Sequence, residues 1–342
     1  MTFDNVKTIR YMGAKSRLLD FIVPNILEMT NDNDTVVDIM AGSYAISYAL
    51  KKYRRVVSND IQQYSAIIGE ALMLNQDTTI SSDTALDELA SNYQFNLEFQ
   101  KFNLFYTCYA DTYFSKSQCL DIDSIRYAIS CIDNKFKSAL YMCALMNAMC
   151  LVQSTPGHFA QYMPNTNLRI QKLQQMSMFD EFLRSCNLYS DIVFSKFDNR
   201  VMCDDFHNIL NFELLGRPAL IYLDSPYTQE QYSRFYHVLE TVTRYDWPEV
   251  KFKAKYRCDR FMSRFCYKSS VEGEFKSIFE CCKDNNVKLL VSYSNKGVIS
   301  VDNLINVASH FFGDVEIIQH EYFHSTQGKG SKSVNEILLK CY

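Results

Sequence analysis

No run of about 18 consecutive apolar residues occurs in this chain, so no membrane-spanning helix is expected. The opening residues, Met1-Thr2-Phe3-Asp4-Asn5, place no basic region ahead of an apolar stretch and do not read as a secretory signal. The 12 cysteines include no Cys-x-x-Cys pair, and Cys281 and Cys282 are adjacent. Lacking zinc-type spacing and an oxidising address, they read as reduced intracellular thiols in core positions, and no metal is expected. A global excess of positive charge is missing too. The net charge is −4, which gives no whole-chain basic footprint for nucleic acid. There is no internal repeat and no low-complexity tract. Of the 342 residues, 47% are hydrophobic, enough to bury a large core in one elaborated domain or two.

What is present points to one short stretch. Asp224-Ser225-Pro226-Tyr227 follows Ala219-Leu220-Ile221-Tyr222-Leu223, an apolar run that reads as a buried parallel strand. An acid, a proline turn and an aromatic ring then sit at the carboxyl end of that strand, where open α/β sheets bind ligands. The acid can accept hydrogen bonds from an amine, and the ring can stack on a flat heterocycle. That pairing suits chemistry on the exocyclic amine of a nucleobase. The plain alternative is a strand ending in an ordinary Pro-Tyr turn.

Other strands flank it. Asp34 to Ile39 and Arg55 to Ser58 read as strands, followed by helices over Tyr44 to Tyr53 and Ile61 to Leu74, the alternation of parallel βαβ units. From about Asn75 to Ser190 the alternation stops, and helical segments such as Ile122 to Ile132 and Lys135 to Val152 read as an insertion. Strands resume at Asn199 to Cys203, Ala219 to Leu223 and Val287 to Tyr293, with a helix over Val301 to Phe312. Val315 to Phe323 and Val334 to Tyr342 read as a terminal hairpin around a Gly-Lys-Gly turn.

These strand ends can build a nucleoside pocket. Asp38 and Gly42 occupy the first strand-to-helix turn, where a glycine lets the backbone approach a ligand. Asp60 ends the second strand about 20 residues later, where a carboxylate can take both hydrogen bonds of a ribose diol. Asp205 and Phe206 follow the next strand and can read an adenine amine and cover its face. Helix N-caps and core packing are the competing roles.

Charge is concentrated locally. Arg244 to Lys268 holds eight Lys or Arg against three acids, interleaved with aromatics from Tyr245 to Tyr267. Cations for phosphates and rings for bases fit a DNA-facing loop; a solvated basic surface fits equally. A second motif, His320-Glu321-Tyr322-Phe323-His324, has the spacing of a zinc metalloprotease helix. Its surroundings read as a strand, on which residues four apart lie about 13 Å from each other. His158, His207 and His310 read as surface or structural residues.

Longer stretches carry a family resemblance. Arg10 to Leu19 resembles the N-terminal cofactor motif of Dam-type, alpha-class adenine-N6 DNA methyltransferases, Asp38-Ile39-Met40-Ala41-Gly42 their first glycine motif, and Asp224-Ser225-Pro226-Tyr227 their Asp-Pro-Pro-Tyr. Asp121 to Arg126, Ser154 to Phe159, Gln231 to Thr241, Ser292 to Gly297 and Asn335 to Leu339 resemble further landmarks, in order along nearly the whole chain.

The resemblance implies a Rossmann-like α/β methyltransferase sheet (residues 1–75 and 191–342), a helical target-recognition insertion (76–190) and a C-terminal β-hairpin. It implies S-adenosylmethionine as cofactor, with Tyr11, Gly13 and Lys15 near its methionine part, Asp60 on the ribose, Asp205 and Phe206 at the adenine, and Asp38, Gly42 and Ile61 in the same pocket. Asp224 and the carbonyl of Ser225 would accept hydrogen bonds from the target N6, and Tyr227, after Pro226, would stack on the flipped base. The implied partner is duplex DNA at a short sequence, with a restriction nuclease or defence subunit as a further partner and a prokaryotic or phage cytoplasm as the setting. DNA contacts are expected at Tyr232, Arg234, Tyr236 and His237, at Lys251, Lys253, Lys255, Arg257, Arg260 and Arg264, and at Lys329 and Lys332 of the last turn. Related N4-cytosine enzymes typically begin this motif with Ser, so Asp224 favours adenine.

Two departures stand out. The usual second glycine of the first motif is Tyr44, whose ring either crowds the methionine or swings outward. Ser225 replaces the first proline but keeps its carbonyl. A methyltransferase-like protein that binds DNA without methylating it is therefore the alternative.

Overall fold

Val36, Val56, Leu220 and Leu290 belong to one hydrophobic core, while their chain neighbours Val37, Val57, Ile221 and Leu289 belong to another. Successive side chains of a strand point to opposite faces, so these runs form a sheet buried on both sides. The structure is a computed structural model that describes residues 3–4, 9, 11–166, 168–210, 215–324 and 332–342.

Among the described residues seven strands form the main sheet: β1 (Thr35–Asp38), β2 (Arg55–Asn59), β3 (Arg200–Met202), β4 (Leu220–Leu223), β7 (Lys288–Ser294), β8 (Val315–His324) and β9 (Lys332–Cys341). Their order is β3-β2-β1-β4-β7-β9-β8. The first five are parallel, and β9 lies antiparallel between β7 and β8. The strand order reverses between β1 and β4, so their carboxyl ends open a crevice. A separate hairpin pairs β5 (Val250–Lys251) with β6 (Tyr256–Arg257).

The first helices are α1 (Leu19–Glu28), α2 (Ala45–Leu50) and α3 (Gln63–Gly69), which runs on into a π-turn over Glu70–Leu74. Between β2 and β3 come α4 (Ser82–Phe99), α5 (Leu104–Tyr109), α6 (Lys116–Ser130), α7 (Lys135–Val152), α8 (Leu168–Gln175) and α9 (Met178–Cys186). Next are α10 (Phe206–Ile209), α11 (Tyr232–Phe235), α12 (His237–Arg244), α13 (Val271–Asp284) and α14 (Val301–Ala308). The expected sheet, helical insertion and terminal hairpin are all present; the turn of that hairpin, with Lys329, lies outside the described residues. Helix α6 starts six residues before the expected Ile122, because Ser115 and Gln118 form a reciprocal capping box that extends it through polar residues.

The insertion shares its core with one face of the sheet and with α12. Asp123 accepts hydrogen bonds from the Phe105 and Tyr106 amides at 2.9 Å and from the Tyr245 hydroxyl at 2.5 Å. Arg126 donates from Nε to the Val242 carbonyl at 3.0 Å, satisfying an end of α12. Two of the motifs read from sequence therefore clamp the insertion: Asp121 to Arg126 onto α12, and Ser154 to Phe159 onto α11, where the Phe159 amide donates to the Phe235 carbonyl.

None of the 12 cysteines forms a disulfide, and seven are buried. No helix among the described residues is long and apolar enough to cross a membrane.

Candidate active site

A cavity of about 310 Å³ opens at the point where the strand order reverses. All nine residues expected around the cofactor line it: Tyr11, Gly13, Lys15, Asp38, Gly42, Asp60, Ile61, Asp205 and Phe206. Asp224, Ser225, Pro226 and Tyr232 close its other side.

The turn after β1 is held by its acids. Asp60 accepts from the Gly42 amide through Oδ2 and from the Gln62 amide through Oδ1, both at 2.9 Å. Gly42 has a φ of 53°, and a Cβ there would meet the Tyr11 ring at 3.1 Å, so the ring roofs the glycine. Tyr11 in turn stacks on Tyr236 with centroids 4.8 Å apart and on Tyr232 at 5.7 Å. Gly13, with φ 76°, leaves room for the Tyr232 hydroxyl 3.0 Å from where its Cβ would be. Asp38 is 1% exposed. Its Oδ2 accepts from Ser47 Oγ at 2.6 Å, and its Oδ1 has no partner. Burial pushes its carboxyl up to about 7.

Tyr44 swings away from this cavity, which Ser43 and Ala45 line and Tyr44 does not. Its backbone keeps the left-handed conformation of the missing glycine, with φ 63°. Its buried ring lies against Gly69, where an added Cβ would overlap it.

The acid of the central motif is paired. Lys15 Nζ donates to Asp224 Oδ1 at 2.7 Å and lies 3.4 Å from Glu336 Oε1. It also stands 5.4 Å from the Tyr227 ring centroid. Burial would strip Lys15 of its charge, but the two carboxylates outweigh burial and raise its pKa well above the ordinary value. Burial raises Asp224 to about 6 against the opposing pull of Lys15. Ser225 is 1% exposed, and its hydroxyl finds no partner. Tyr227 is half-buried, and its ring meets the edge of Tyr293 at 6.2 Å.

Residues 11–307 match the D12 class N6 adenine-specific DNA methyltransferase family. The chain belongs to that family. It is 28% identical to the modification methylase LlaI of Lactococcus lactis subsp. lactis, over 97% of this chain and 54% of that protein. It is 24% identical to the type II methyltransferase M.FokI of Planomicrobium okeanokoites, over 96% of this chain and 51% of that protein. It is also 24% identical to the type II methyltransferase M2.HphI of Haemophilus parahaemolyticus, over 97% of this chain and 96% of that protein. The chain thus spans about half the length of the first two relatives.

The family resemblance expects Lys15 near a methionine; what the structure shows is its contact with Asp224. Glu336, part of the Asn335 to Leu339 landmark, reaches the same cluster from β9. Phe261, Met262, Ser263 and Arg264 line the cavity as well. Four consecutive residues of the basic segment are therefore a wall of the pocket.

Several expected DNA contacts are turned inward. Arg257 is 2% exposed, with both terminal nitrogens on Asp246 at 2.7 and 2.8 Å and one also on Asp259 at 2.9 Å. Lys255 donates to the Cys108 carbonyl. Arg260 stacks on Tyr256 at 5.0 Å and, with Arg244 and Arg257, lines a second cavity of about 250 Å³. Tyr236 is buried, its hydroxyl accepting from the Met12 amide at 2.6 Å. His237 is fully buried, with Nε2 3.0 Å from the Phe159 carbonyl, and burial lowers its pKa to about 3. Ion pairing and desolvation thus occupy these groups, and a DNA surface has to be built from others. Arg234 donates to Tyr256 Oη at 3.0 Å and Glu230 at 3.1 Å, Tyr232 faces the cavity, and Arg264 holds Glu274 at 3.0 Å at the rim. Lys251 and Lys253 are exposed. Lys332 begins β9.

His320 and His324 both lie on β8, a strand, and the His320 ring stacks on Phe21 at 4.8 Å. The spacing a zinc-binding helix needs is not formed.

Proposed function

We propose that this chain transfers a methyl group from S-adenosylmethionine to N6 of an adenine flipped out of duplex DNA. The observation that carries the reading is the placement of the Asp224 carboxylate on one wall of a cavity whose other walls are Asp38, Gly42, Asp60 and Phe206. Membership of the family and the names of its relatives support the same reaction.

The residues present fit the cofactor. Asp38, Asp60 and Asp224 line the cavity with Lys15, and Lys15 is itself paired with Asp224 and Glu336, which leaves acid in excess for a cationic ligand. The unpartnered Oδ1 of Asp38 is an open acceptor among them. Ala41 to Ala45 offer backbone for close approach, Asp60 an acceptor for ribose, and Phe206 a ring for a purine face. When bound, S-adenosylmethionine supplies an electrophilic methyl on a sulfonium.

The chain's part is to bind, orient and desolvate. The N6 lone pair is delocalised into the adenine ring and nucleophiles of that kind are weak. Hydrogen bonds to Asp224 and the Ser225 carbonyl favour a tetrahedral nitrogen, and Tyr227 holds the base in place. No covalent intermediate with the protein is required. The helical insertion is the proposed target-recognition region, and a prokaryotic or phage host with a cognate nuclease is the proposed context.

The test is tritiated methyl transfer to adenine-containing duplexes, followed by mapping of modified bases in a host lacking adenine methylation. N6-methyladenine at one short sequence supports the reading. Binding of DNA and cofactor with no transfer establishes the binding-only alternative.

A further inference from the structure

Two carboxylates from distant parts of the chain share one buried ammonium at the wall of the cavity. Lys15, 4% exposed, comes from the segment before α1; Asp224 follows β4, 209 residues later; Glu336, 1% exposed, sits on β9. Glu336 is itself fixed by the Ser292 hydroxyl, which donates to Oε1 at 2.5 Å. Lys15 has three protons to donate. One goes to Asp224 Oδ1 at 2.7 Å, and the others face the Gly13 carbonyl at 3.3 Å and Glu336 at 3.4 Å. Asp224 retains 21% of its side-chain exposure, and it lines the cavity.

We infer that Lys15, anchored by Glu336, is a positioning residue that keeps Asp224 ionised and ties down its Oδ1, leaving Oδ2 to accept the hydrogen bond of the target amine. The inference rests on the proposed methyl-transfer reading of this site. A protonated Asp224 would present a hydroxyl to an amine that must donate, so the acceptor role requires the carboxylate. Without a cation at this depth, desolvation favours the acid form. Lys15 opposes that, while Glu336 has two effects of opposite sign. It orients the ammonium, and its own charge disfavours a second negative charge nearby. The other groups facing Asp224 are Asp38 from β1, Tyr222 from β4, Tyr227 from the motif and Tyr232 from α11. None of them is a cation.

The two effects predict opposite shifts, which a merely structural role would not give. Lys15→Met, Lys15→Arg and Glu336→Gln would be made in the full chain. The Asp224 carboxyl would be titrated by carbon-13 NMR without cofactor or DNA and assigned with Asp224→Asn. Lys15→Met should raise its midpoint by roughly 1–3 units, the effect of losing an adjacent cation. Lys15→Arg should restore most of it, and Glu336→Gln should lower it. The acid limb of single-turnover methyl transfer should move in the same directions. An unmoved Asp224 midpoint in Lys15→Met would overturn the inference, as would a rate loss equal at every pH. Should Lys15→Met not fold, Lys15→Gln replaces it: a raised Asp224 midpoint supports the inference and an unmoved one sinks it. A wild-type chain that moves no methyl at any pH would refute the proposed function, whereas the NMR titration would still decide the role of Lys15.

Discussion

The ring of Tyr44 occupies the space that a side chain at Gly69 would need. The family's second glycine is lost from the turn after β1, and a glycine on α3 makes room for the replacement. Tyr44 holds a left-handed backbone, which costs a non-glycine residue roughly 1–2 kcal/mol, and burial of its ring offsets that. Gly69→Ala should destabilise the chain by about 1–3 kcal/mol through overpacking. Gly69→Ala combined with Tyr44→Ala should cost less than the sum of the two single changes, because they share one contact. Tyr44→Phe should be neutral or stabilising, since the Tyr44 hydroxyl is buried without a partner. Chemical denaturation reads all three. Cofactor affinity of Tyr44→Phe should match wild type, because the ring does not line the cavity.

Asp38 gives a pH dependence of binding. Its carboxyl is raised to about 7 by burial, so the unliganded protein carries a proton there through mildly acidic pH. A cationic cofactor favours the ionised form and must displace that proton. Affinity for S-adenosylmethionine should therefore rise as pH climbs toward about 7 and level off above it. Proton release, measured by calorimetry in buffers of different ionisation enthalpy, should be largest below 7. Asp38→Asn should bind more weakly and release less. Equal proton release by wild type and Asp38→Asn would show that Asp38 is not the linked group.

Lys253 and Arg257 separate DNA contact from loop scaffolding. Lys253 is exposed and makes no ion pair among the described residues, whereas Arg257 is buried between Asp246 and Asp259. Lys253→Ala should leave stability unchanged, weaken binding to all duplexes alike and reduce the salt slope by about one. Arg257→Ala should instead lower stability by roughly 1–3 kcal/mol, the cost of losing charged hydrogen bonds whose carboxylate partners Asp246 and Asp259 keep part of their solvation. Filter binding across a salt series, with parallel thermal melts, distinguishes them. An unchanged salt slope in Lys253→Ala would make that side chain a bystander.

The sequence made the strand ends legible because each chemical residue follows an apolar run: Asp38 after Val36-Val37, Asp60 after Val56-Val57, Asp224 after Leu220 to Leu223. Parallel strands buried on both faces write such runs directly into the chain. Partners separated by tertiary folding were not legible. Nothing local links Lys15 to Asp224 or Glu336, and only the insertion of β9 beside β7 brings the last of these to the crevice. The basic segment misled for a related reason. Counting charges does not reveal that Asp246 and Asp259 turn Arg257 inward, or that Phe261 and Arg264 wall the cavity. Tyr44 was legible as a departure, but the direction of its ring depended on Gly69.

Gly297 tests whether Tyr227 needs support to hold a flipped base. A Cβ at Gly297 would overlap the Tyr293 ring, whose edge meets Tyr227 at 6.2 Å and whose hydroxyl accepts from the Ile299 amide at 3.2 Å. The Val298 amide also donates to the Tyr227 carbonyl at 2.9 Å. The Ser292 to Gly297 landmark thus braces the base-stacking residue from behind. Gly297→Ala should displace the Tyr293 ring and loosen Tyr227 without touching the cofactor walls. A stacking platform is worth roughly 1–3 kcal/mol per base. Tyr227→Ala should lose most of that, and Gly297→Ala part of it. With 2-aminopurine at the target position, both variants should show a smaller fluorescence rise on binding than wild type. Tyr227→Trp should keep much of the signal. S-adenosylmethionine affinity should stay near wild type in all three. Asp224→Ala should behave in the opposite way, flipping the base normally while losing methyl transfer, because its hydrogen bond strengthens chiefly as N6 becomes tetrahedral. Wild-type flipping by Gly297→Ala would show that Tyr227 is held by its own backbone alone, and wild-type methylation by Asp224→Ala would remove Asp224 from the chemistry.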